Sequence, residues 1–338
     1  MSARMMRRAL ALPAPLMGRP HRQRLPWIEP GARKLCLAHP TGWLAAEPEL
    51  HSFSDGGGQV HYRRDRGSAV AVGVEGLDPS LLRAWAKDQR SQGVKRCLLF
   101  PVAKWELGPL HRAGFKSMKI GEEAELHLPS LAAPTGDLGR MLRAATRAGL
   151  RAELQRSLPP EAEALEPIWR RSRRQPGQLG LLVGSDRRRG LFMVVRRGQE
   201  VVCWVQLRPG YEGGGYGLDG MVRHPEAPAG AMELAIHNAA LFAADQGAEW
   251  LSMGAVPLRG VNTERALLGP VCIALRETSL GNRLFNFQGL GRFKAKFSPM
   301  WRDVHMGAYG RLNAISLYEG CRLWGLFNRT VARGRPLP

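Results

Sequence analysis

The sequence predicts an α/β protein with two related lobes followed by a C-terminal helix. First, strand-like and helix-like segments alternate along the chain, which is typical of α/β architecture. Second, one order of elements, a strand pair, a helix and a further strand, occurs twice. Third, a length of 338 residues favours two domains. We place the lobes at residues 51–130 and 131–312, after a basic N-terminal extension at 1–50, with a C-terminal helix and tail at 313–338.

In the first lobe, apolar residues alternate along the predicted strands and recur at helical spacing along the predicted helices. Leu81, Leu82 and Trp85 give this spacing to one helix, which ends at Gly93. The predicted elements are two strands within 58–74, a helix at 79–93, a strand at 94–102 and a short helix at 109–115.

The second lobe is predicted to begin with a helix at 137–149, in which Arg140, Arg143 and Arg147 share one face. A β-hairpin is predicted around an Arg-Arg-Gly-Gln turn. The remaining predicted elements are a helix at 160–174, the hairpin at 190–208, a glycine-rich strand at 213–222, a helix at 231–247, a strand at 248–256 and the C-terminal helix at 313–328.

Basic residues outnumber acidic ones by 49 to 29, so the formal net charge is +20. Residues 140–200 and 281–338 each carry a net charge of +8, whereas residues 201–280 carry −3. This distribution predicts an anionic partner, with a polyanion track beside a more acidic pocket. The alternative interpretation is that a GC-rich genome places Arg at every solvent-exposed position.

The composition also excludes several classes of protein. No apolar run reaches the roughly 18–20 residues that a membrane span needs. The five cysteines are scattered without a CxxC pair, so neither a disulfide framework nor a zinc site is predicted. The first 28 residues contain six Arg and no acidic residue, which predicts a flexible basic arm that touches a membrane surface or RNA. We therefore expect a globular, cytoplasmic protein without a metal.

Lysine is used sparingly: the chain contains 41 Arg and 8 Lys, and after Lys119 the next are Lys294 and Lys296. Lysine offers a compact charge and a pKa that shifts on burial, which arginine does not. In an extended segment, residues two apart point to the same side. We predict that Lys294 and Lys296 act together, as a phosphate clamp or with one of them as an oxyanion donor.

Three segments, in this order, resemble one protein family. The third, Phe285–Trp301, reads FNFQGLGRFKAKFSPMW and is long and unusual. The first is Lys119–Ala124, and the second is Leu218–Pro228 with Gly230–Glu233 and Met253–Leu258. Together they resemble the cytosolic catalytic domain of the bacterial phosphatidylglycerol lysyltransferases, the multiple peptide resistance factors. The order of elements in the second lobe likewise resembles the core of the GNAT acyltransferase fold.

The resemblance implies an α/β fold with two tandem GNAT-like acyltransferase lobes and a C-terminal helix. It implies transfer of an aminoacyl group from charged tRNA to the hydroxyl of phosphatidylglycerol or a related anionic lipid. Full-length members also carry an N-terminal membrane flippase, and this chain resembles the catalytic domain alone. The expected partners are aminoacyl-tRNA and an anionic phospholipid at the inner face of the membrane, where the protein would bind peripherally.

An aminoacyl-tRNA ester is already activated, so no cofactor or ATP is expected. The transfer needs removal of a proton from the attacking hydroxyl and stabilisation of a tetrahedral oxyanion. Asp219 lies between glycines, where a ligand can approach closely, and we expect it to bind the donor's α-ammonium or to transfer a proton. The catalytic candidates are Asp219, Lys294 and Lys296; the substrate-binding candidates are Glu122, Glu123, Arg223, His224, Asn286 and Arg292; the tRNA-binding candidates are Arg140, Arg143 and Arg147.

One position departs from the family motif, which has Arg three residues after Asp. Val222 occupies that position in this chain, and Arg223 follows it. A shift of one residue along a strand moves a side chain to the opposite face. Either Arg223 takes the role of the motif arginine from a loop, or the protein differs from the family in its donor or its acceptor.

Three alternatives stay open at the level of sequence. The acceptor could be a soluble amine or hydroxyl compound, with the same tRNA donor. An acyl-CoA-dependent N-acyltransferase usually has an R/Q-x-x-G-x-G/A loop, and the segment that begins at Arg208 matches it poorly. A non-enzymatic RNA- or membrane-binding protein is the third alternative. The sequence does not identify the transferred amino acid or the oligomeric state.

Overall fold

The computed structural model describes residues 50–56, 58–75, 77–172, 191–211, 215–261 and 286–323. Within them lie eleven strands and eight α-helices. The strands are β1 (His51–Ser54), β2 (Gln59–Asp65), β3 (Ser68–Glu75), β4 (Arg96–Ala103), β5 (Phe115–His127), β6 (Leu150–Gln155), β7 (Leu191–Arg197), β8 (Glu200–Tyr211), β9 (Gly215–Arg223), β10 (Trp250–Pro257) and β11 (Met300–Tyr309). The helices are α1 (Pro79–Ser91), α2 (Leu107–Arg112), α3 (Gly136–Arg147), α4 (Pro160–Glu163), α5 (Leu165–Ser172), α6 (Ala231–Asp245), α7 (Phe287–Ala295) and α8 (Ala314–Leu323).

All eleven strands form one sheet in the order β1-β2-β3-β4-β11-β5-β10-β9-β8-β7-β6. The α/β fold class is therefore confirmed. The last strand in the chain, β11, lies between β4 and β5 and is antiparallel to both. Residues far apart in sequence are thus neighbours at the centre of the sheet, where β5 also pairs with β10.

The repeated order of elements predicted from the sequence is present in the sheet. The antiparallel pair β2–β3 is followed by α1 and by β4, which is parallel to β3. The antiparallel pair β8–β9 is followed in the same way by α6 and by β10, which is parallel to β9. The tandem GNAT-like architecture agrees with this repeat. The lobe boundaries at 51–130 and 131–312 stay predictions, since β11 lies among the strands assigned to the first lobe.

The parallel pair β9–β10 is short, and this shapes the site. Its register contains Tyr216 with Leu251 and Gly217 with Ser252, although both strands continue beyond these residues. On its other side, β10 has a register shift against β5 between Ser252 and Ala255. The backbone groups of β10 beyond Ser252 therefore need partners other than β9.

Apolar side chains cover both faces of the sheet. Leu81, Leu82 and Trp85 of α1 are fully buried against β2, β3 and β4, as the helical spacing predicted. In another part of the sheet, Trp204 packs in a cluster with α4 and α5, and its indole N–H donates to the carbonyl oxygen of Ala162 at 2.9 Å. Burial of one such side chain stabilises a fold by about 1.5–3 kcal/mol.

Most predicted elements lie where the sequence placed them, with shifted ends. The shared side expected of Lys294 and Lys296 in an extended segment is not found, because this segment is helical. Lys294 lies in helix α7 and Lys296 is its C-cap, so the two side chains diverge rather than share one side. The C-terminal helix, predicted at 313–328, is described over Ala314–Leu323, and the rest lies outside the described residues. The N-terminal arm also lies outside them.

None of the helices in the described part of the chain combines the length and the apolar character needed to cross a membrane.

The residue before α6 provides a test of the packing between two helices. Gly230 has a φ of +88°, and a Cβ there would lie 2.1 Å from the carbonyl oxygen of Met141 in α3. Gly247 also has a positive φ, of +78°, but nothing lies within 4 Å of its Cβ position. We expect Gly247→Ala to cost about 1–2 kcal/mol from backbone strain alone. Gly230→Ala should cost at least about 4 kcal/mol, because a backbone clash adds to that strain.

Urea unfolding of both variants measures these free energies. Equal costs for the two substitutions would show that α3 and α6 do not approach each other as closely as described.

Candidate active site

Two carboxylates on β5 lie at the centre of the candidate site. Glu123 and Glu125 are two residues apart on a strand, so their side chains share one face. Both are buried, with relative exposures of 4% and 0%. Their cross-strand neighbours on β11 are Arg302 and Met300. Burial of charged groups is costly unless they are paired, so the neighbouring side chains determine their state.

Glu123 receives a hydrogen bond from the hydroxyl of Ser252 on β10. Ser252 Oγ in turn accepts from the backbone N–H of Gly254 at 3.0 Å. The pKa of Glu123 is raised to about 8, chiefly by burial and also by the charge of Glu125, against the opposing effects of the Ser252 hydrogen bond and of the charges of Lys294 and Arg302. The carboxyl of Glu123 can therefore gain or lose a proton near neutral pH.

Lys294 comes from α7, which begins at Asn286. The side chain of Asn286 accepts a hydrogen bond from the backbone N–H of Gly289 at 2.8 Å and so caps the helix. Lys294 is 2% exposed, and its Nζ donates to the carbonyl oxygens of Gly254 at 2.7 Å and Ala255 at 3.1 Å. Burial lowers the pKa of Lys294 to about 7, although the charge of Glu123 opposes this shift.

Glu123 and Lys294 form a coupled pair, because each charge stabilises the other while burial opposes both. A neutral lysine keeps two N–H donors and one lone pair. The two donors match the two backbone carbonyls, so neutral Lys294 satisfies both. The pair can hold one proton or release it near neutral pH, which is what proton transfer to or from a substrate requires.

A cavity of about 400 Å³ opens beside Glu123. It combines carboxylates, cations and aromatic rings from β4, β5, β11 and the short segment after β4. Its lining is Val102, Ala103, Lys104, Trp105, Glu123, Glu125, Trp301, Arg302, Asp303 and Val304. Arg302 forms an ion pair with Glu125, and its guanidinium lies 4.7 Å from the ring centre of Trp250. Trp105 is half exposed at this cavity.

Glu122 belongs to a second network, which borders the cavity through Asp303 and Trp301. Its carboxylate contacts Lys119 Nζ at 2.9 Å and Arg259 Nε at 3.0 Å. Lys119 also contacts Asp303 at 2.5 Å, and this hydrogen bond lowers the pKa of Asp303. The guanidinium of Arg259 stacks 3.8 Å from the ring centre of Trp301. This network therefore fixes one aromatic wall of the cavity.

Asp219 lies on β9, next to the point where β9 and β10 stop pairing. Its Oδ2 is 2.9 Å from Nε of Arg208 on β8, and the two side chains are 6% and 11% exposed. Val222 is fully buried in the cluster around Trp204. Arg223 is the last residue of β9 and is exposed, so it ends a strand rather than lying in a loop.

Lys296 does not accompany Lys294. Its Nζ contacts Glu233 of α6 at 2.7 Å and lies 5.6 Å from the ring centre of Phe293. Glu233 is buried in the first turn of α6. Lys296 thus joins α7 to α6 by an ion pair, while Lys294 joins α7 to β10.

The family described as "Phosphatidylglycerol lysyltransferase, C-terminal" matches residues 37–307. The chain belongs to this family. It is 25% identical over 250 residues to the phosphatidylglycerol lysyltransferase of Bacillus subtilis, covering 71% of this chain and 29% of that protein. It is 26% identical over 264 residues to the lysylphosphatidylglycerol biosynthesis bifunctional protein LysX of Mycolicibacterium vanbaalenii, covering 72% of this chain and 24% of that protein.

This chain therefore spans less than a third of the length of these two relatives. Among solved structures, L-PGS from Bacillus licheniformis matches with a TM-score of 0.63 and 20% identity, covering 82% of this chain and 90% of that one. At this identity the similarity concerns the fold. The family predicted from the three sequence segments is confirmed by the match over residues 37–307.

The structure brings some candidate residues together and leaves others apart. Glu123 and Lys294 are close enough for each charge to shift the pKa of the other, whereas Glu122 belongs to the neighbouring network and Asn286 caps α7. His224 follows β9, and its Nδ1 accepts from the backbone N–H of Glu226 at 3.2 Å. Arg292 is exposed on α7. The tRNA-binding candidates Arg140, Arg143 and Arg147 are all exposed on α3, with Arg140 3.0 Å from Asp137.

Sequence reasoning missed Arg208, Glu125, Ser252 and Arg302. Glu125 could have been found, because it is two residues after Glu123 on a predictable strand. Ser252 and Arg302 carry no motif of their own, and their contacts depend on strand pairing between distant segments.

The burial of Glu123 predicts a dependence of stability on pH. In the unfolded chain, a glutamate loses its proton near about pH 4.3, whereas in the fold its pKa is about 8. Between these values the folded state holds a proton that the unfolded chain has released, so the wild-type chain loses stability as pH rises. Gln does not titrate. The stability of Glu123→Gln relative to wild type should therefore increase from about pH 5 to about pH 8, by more than about 1 kcal/mol.

Urea unfolding at both pH values measures this difference, with Glu163→Gln on the exposed side of α4 as the control. A relative stability of Glu123→Gln that is the same at both pH values would show that Glu123 is ionised in the fold throughout this range.

Proposed function

We propose that the chain transfers an aminoacyl group from charged tRNA to a hydroxyl of phosphatidylglycerol or a related anionic lipid, at the inner surface of the membrane. Membership of the phosphatidylglycerol lysyltransferase C-terminal family supports the reaction class. The names of the relatives from Bacillus subtilis and Mycolicibacterium vanbaalenii support the lipid and the lysyl group.

The observation that carries the proposal is the buried Glu123–Lys294 pair beside the cavity. A hydroxyl is a weak nucleophile until a base removes its proton, and the best base titrates near the working pH. Glu123 lines the cavity, and the charge of the buried Lys294 acts on it. We assign the removal of the hydroxyl proton to Glu123. We assign to Lys294 the adjustment of the Glu123 pKa through its own charge.

The reaction balances without a further reactant. The lipid hydroxyl oxygen attacks the carbonyl carbon of the aminoacyl ester, and Glu123 takes the hydroxyl proton. The tetrahedral intermediate then loses the ribose oxygen of tRNA, which leaves with a proton returned by the Glu123–Lys294 pair. The products are the aminoacylated lipid and uncharged tRNA. The energy of the ester bond drives the transfer, so ATP is not consumed.

Charged groups around the site suit the two substrates. Asp219 offers a carboxylate for the α-ammonium of the aminoacyl group, beside the gap between β9 and β10. Arg223 and Arg292 are exposed cations for the lipid phosphate. Arg140, Arg143 and Arg147 form an exposed row on α3 that suits the tRNA backbone.

The first test supplies charged tRNA labelled on its amino acid, together with vesicles of phosphatidylglycerol. We expect label to enter the organic phase with the wild-type chain, and Asp219→Asn and Lys294→Ala to lower this rate by at least about a hundredfold. Arg196→Gln, which removes a cation far from the cavity lining, is the control and should retain activity.

Label recovered in a water-soluble product would show that the acceptor is a soluble compound and not the lipid. Full turnover of Asp219→Asn or Lys294→Ala would contradict the proposed site.

The second test concerns the row of cations on α3. We expect Arg140→Gln/Arg143→Gln/Arg147→Gln to raise KM for tRNA and to reduce the slope of log KM against log salt by about 2–3, or about one for each lost phosphate contact. The matched control removes three exposed cations from α1, as Arg83→Gln/Lys87→Gln/Arg90→Gln. An equal effect of the two triple variants would indicate general charge rather than a tRNA surface on α3.

A further inference from the structure

We propose that Arg208 is a positioning residue that holds the carboxylate of Asp219 toward the gap between β9 and β10, and so is required for the aminoacyl transfer. This inference rests on the proposed function and deepens it. It adds a residue that no sequence motif indicated, and it gives the ion pair between β8 and β9 a role in the reaction.

The sheet geometry brings Arg208 to Asp219. Arg208 is the register partner of Gly217, and Asp219 lies two residues further along β9. The register shifts just beyond this point, so that Leu207 pairs with Leu218 but Val205 pairs with Met221. Two further residues of β9 are thus opposite a single residue of β8, which defines a β-bulge at Asp219 and Gly220. A bulge redirects side chains and is over-represented beside active sites.

The contact between the two side chains is close and sheltered. Nε of Arg208 donates to Oδ2 of Asp219 at 2.9 Å, and the two side chains are 11% and 6% exposed. An ion pair in such a position is screened little by salt, unlike a pair at the surface. A guanidinium also imposes an orientation, because its N–H groups are fixed in one plane. The contact with Arg208 therefore fixes the orientation of the Asp219 carboxylate.

Neither of the last two residues of β9, at which the family motif leads one to look for an arginine, provides this contact. Val222 faces the buried cluster around Trp204, and a Cβ at Gly220 would likewise lie 2.7 Å from the Trp204 ring. Arg223 lies at the exposed end of the strand. The sequence left open whether Arg223 serves as the cation of this motif. The geometry points to Arg208, which reaches Asp219 from the neighbouring strand.

A held carboxylate suits the binding of a cationic group. A carboxylate accepts hydrogen bonds at both of its oxygens, from guanidinium and ammonium groups alike. Asp219 follows Gly217, the last register partner of β10, at the position where the two parallel strands separate. The α-ammonium of an aminoacyl group can enter such a gap. Arg208 acts through Asp219 and does not itself touch the reacting atoms.

The test is a double-mutant cycle in the lipid-transfer assay, with Arg208→Gln, Asp219→Asn and the double variant. We expect Arg208→Gln to lower kcat/KM by at least about tenfold, and to change the same parameter, kcat or KM for the donor, as Asp219→Asn. In the Asp219→Asn background, Arg208→Gln should cost less than about twofold, because its effect passes through Asp219. Arg208→Lys, which keeps the charge, should recover part of the activity.

Arg196→Gln is the matched control. Arg196, on β7 of the same sheet, also forms an ion pair, with Glu161 of α4 at 2.5 Å, but away from the gap. Its variant should stay within about twofold of wild type. Full activity of Arg208→Gln would overturn the proposal, and so would a loss in the double variant equal to the product of the two single losses.

The failure of this inference can be distinguished from the failure of the proposed function. If the wild-type chain forms no aminoacyl product, the proposed function fails. The crystal structure of Arg208→Gln then tests the positioning role without activity. We expect the Asp219 carboxylate to leave its wild-type position in that variant. A carboxylate that stays in place overturns the positioning role, whatever the reaction.

Discussion

The site depends on how the backbone of β10 is satisfied where β9 no longer pairs with it. Buried carbonyl groups need hydrogen-bond donors, and at this point the sheet does not provide them. The Nζ of Lys294 donates to the carbonyl oxygens of Gly254 and Ala255. One side chain thus completes the hydrogen bonds of a strand and anchors α7 on the sheet. The position of α7, and of the Lys296–Glu233 contact that ties it to α6, follows from this.

The same interaction places an ionisable group in the interior. An ammonium that is 2% exposed has lost most of its hydration, so its charge must be matched or its proton lost. Glu123 provides the match, and it too is buried, with Ser252 and Arg302 as further partners. The two pKa values, about 8 and about 7, lie close together and near neutrality. Burial of these ionisable groups destabilises the fold, but it places at the wall of a cavity a group that can exchange protons at neutral pH.

The sequence predicted the repeated elements well, because hydrophobic spacing such as that of Leu81, Leu82 and Trp85 depends only on local periodicity. It failed at α7. Gly289 and Gly291 are poor helix formers, and the alternating Lys294 and Lys296 resemble a strand pattern. The helix forms because Asn286 caps it and because Lys294 finds acceptors on β10. The Asn286 cap is local, but the contacts of Lys294 are tertiary, and spacing along the chain does not reveal them.

Arg208 illustrates a deeper limit of sequence reasoning. Its contact with Asp219 depends on the register between β8 and β9 and on the bulge that shifts this register. A bulge adds one residue to one strand, and no composition rule places it. Arg302 depends in a similar way on β11, which crosses from the C-terminal part of the chain to lie between β4 and β5. The cavity wall therefore forms only when the last strand has joined the sheet. Because such a long-range pairing must overcome the entropy of a long intervening chain, the cavity is complete only in the fully assembled fold.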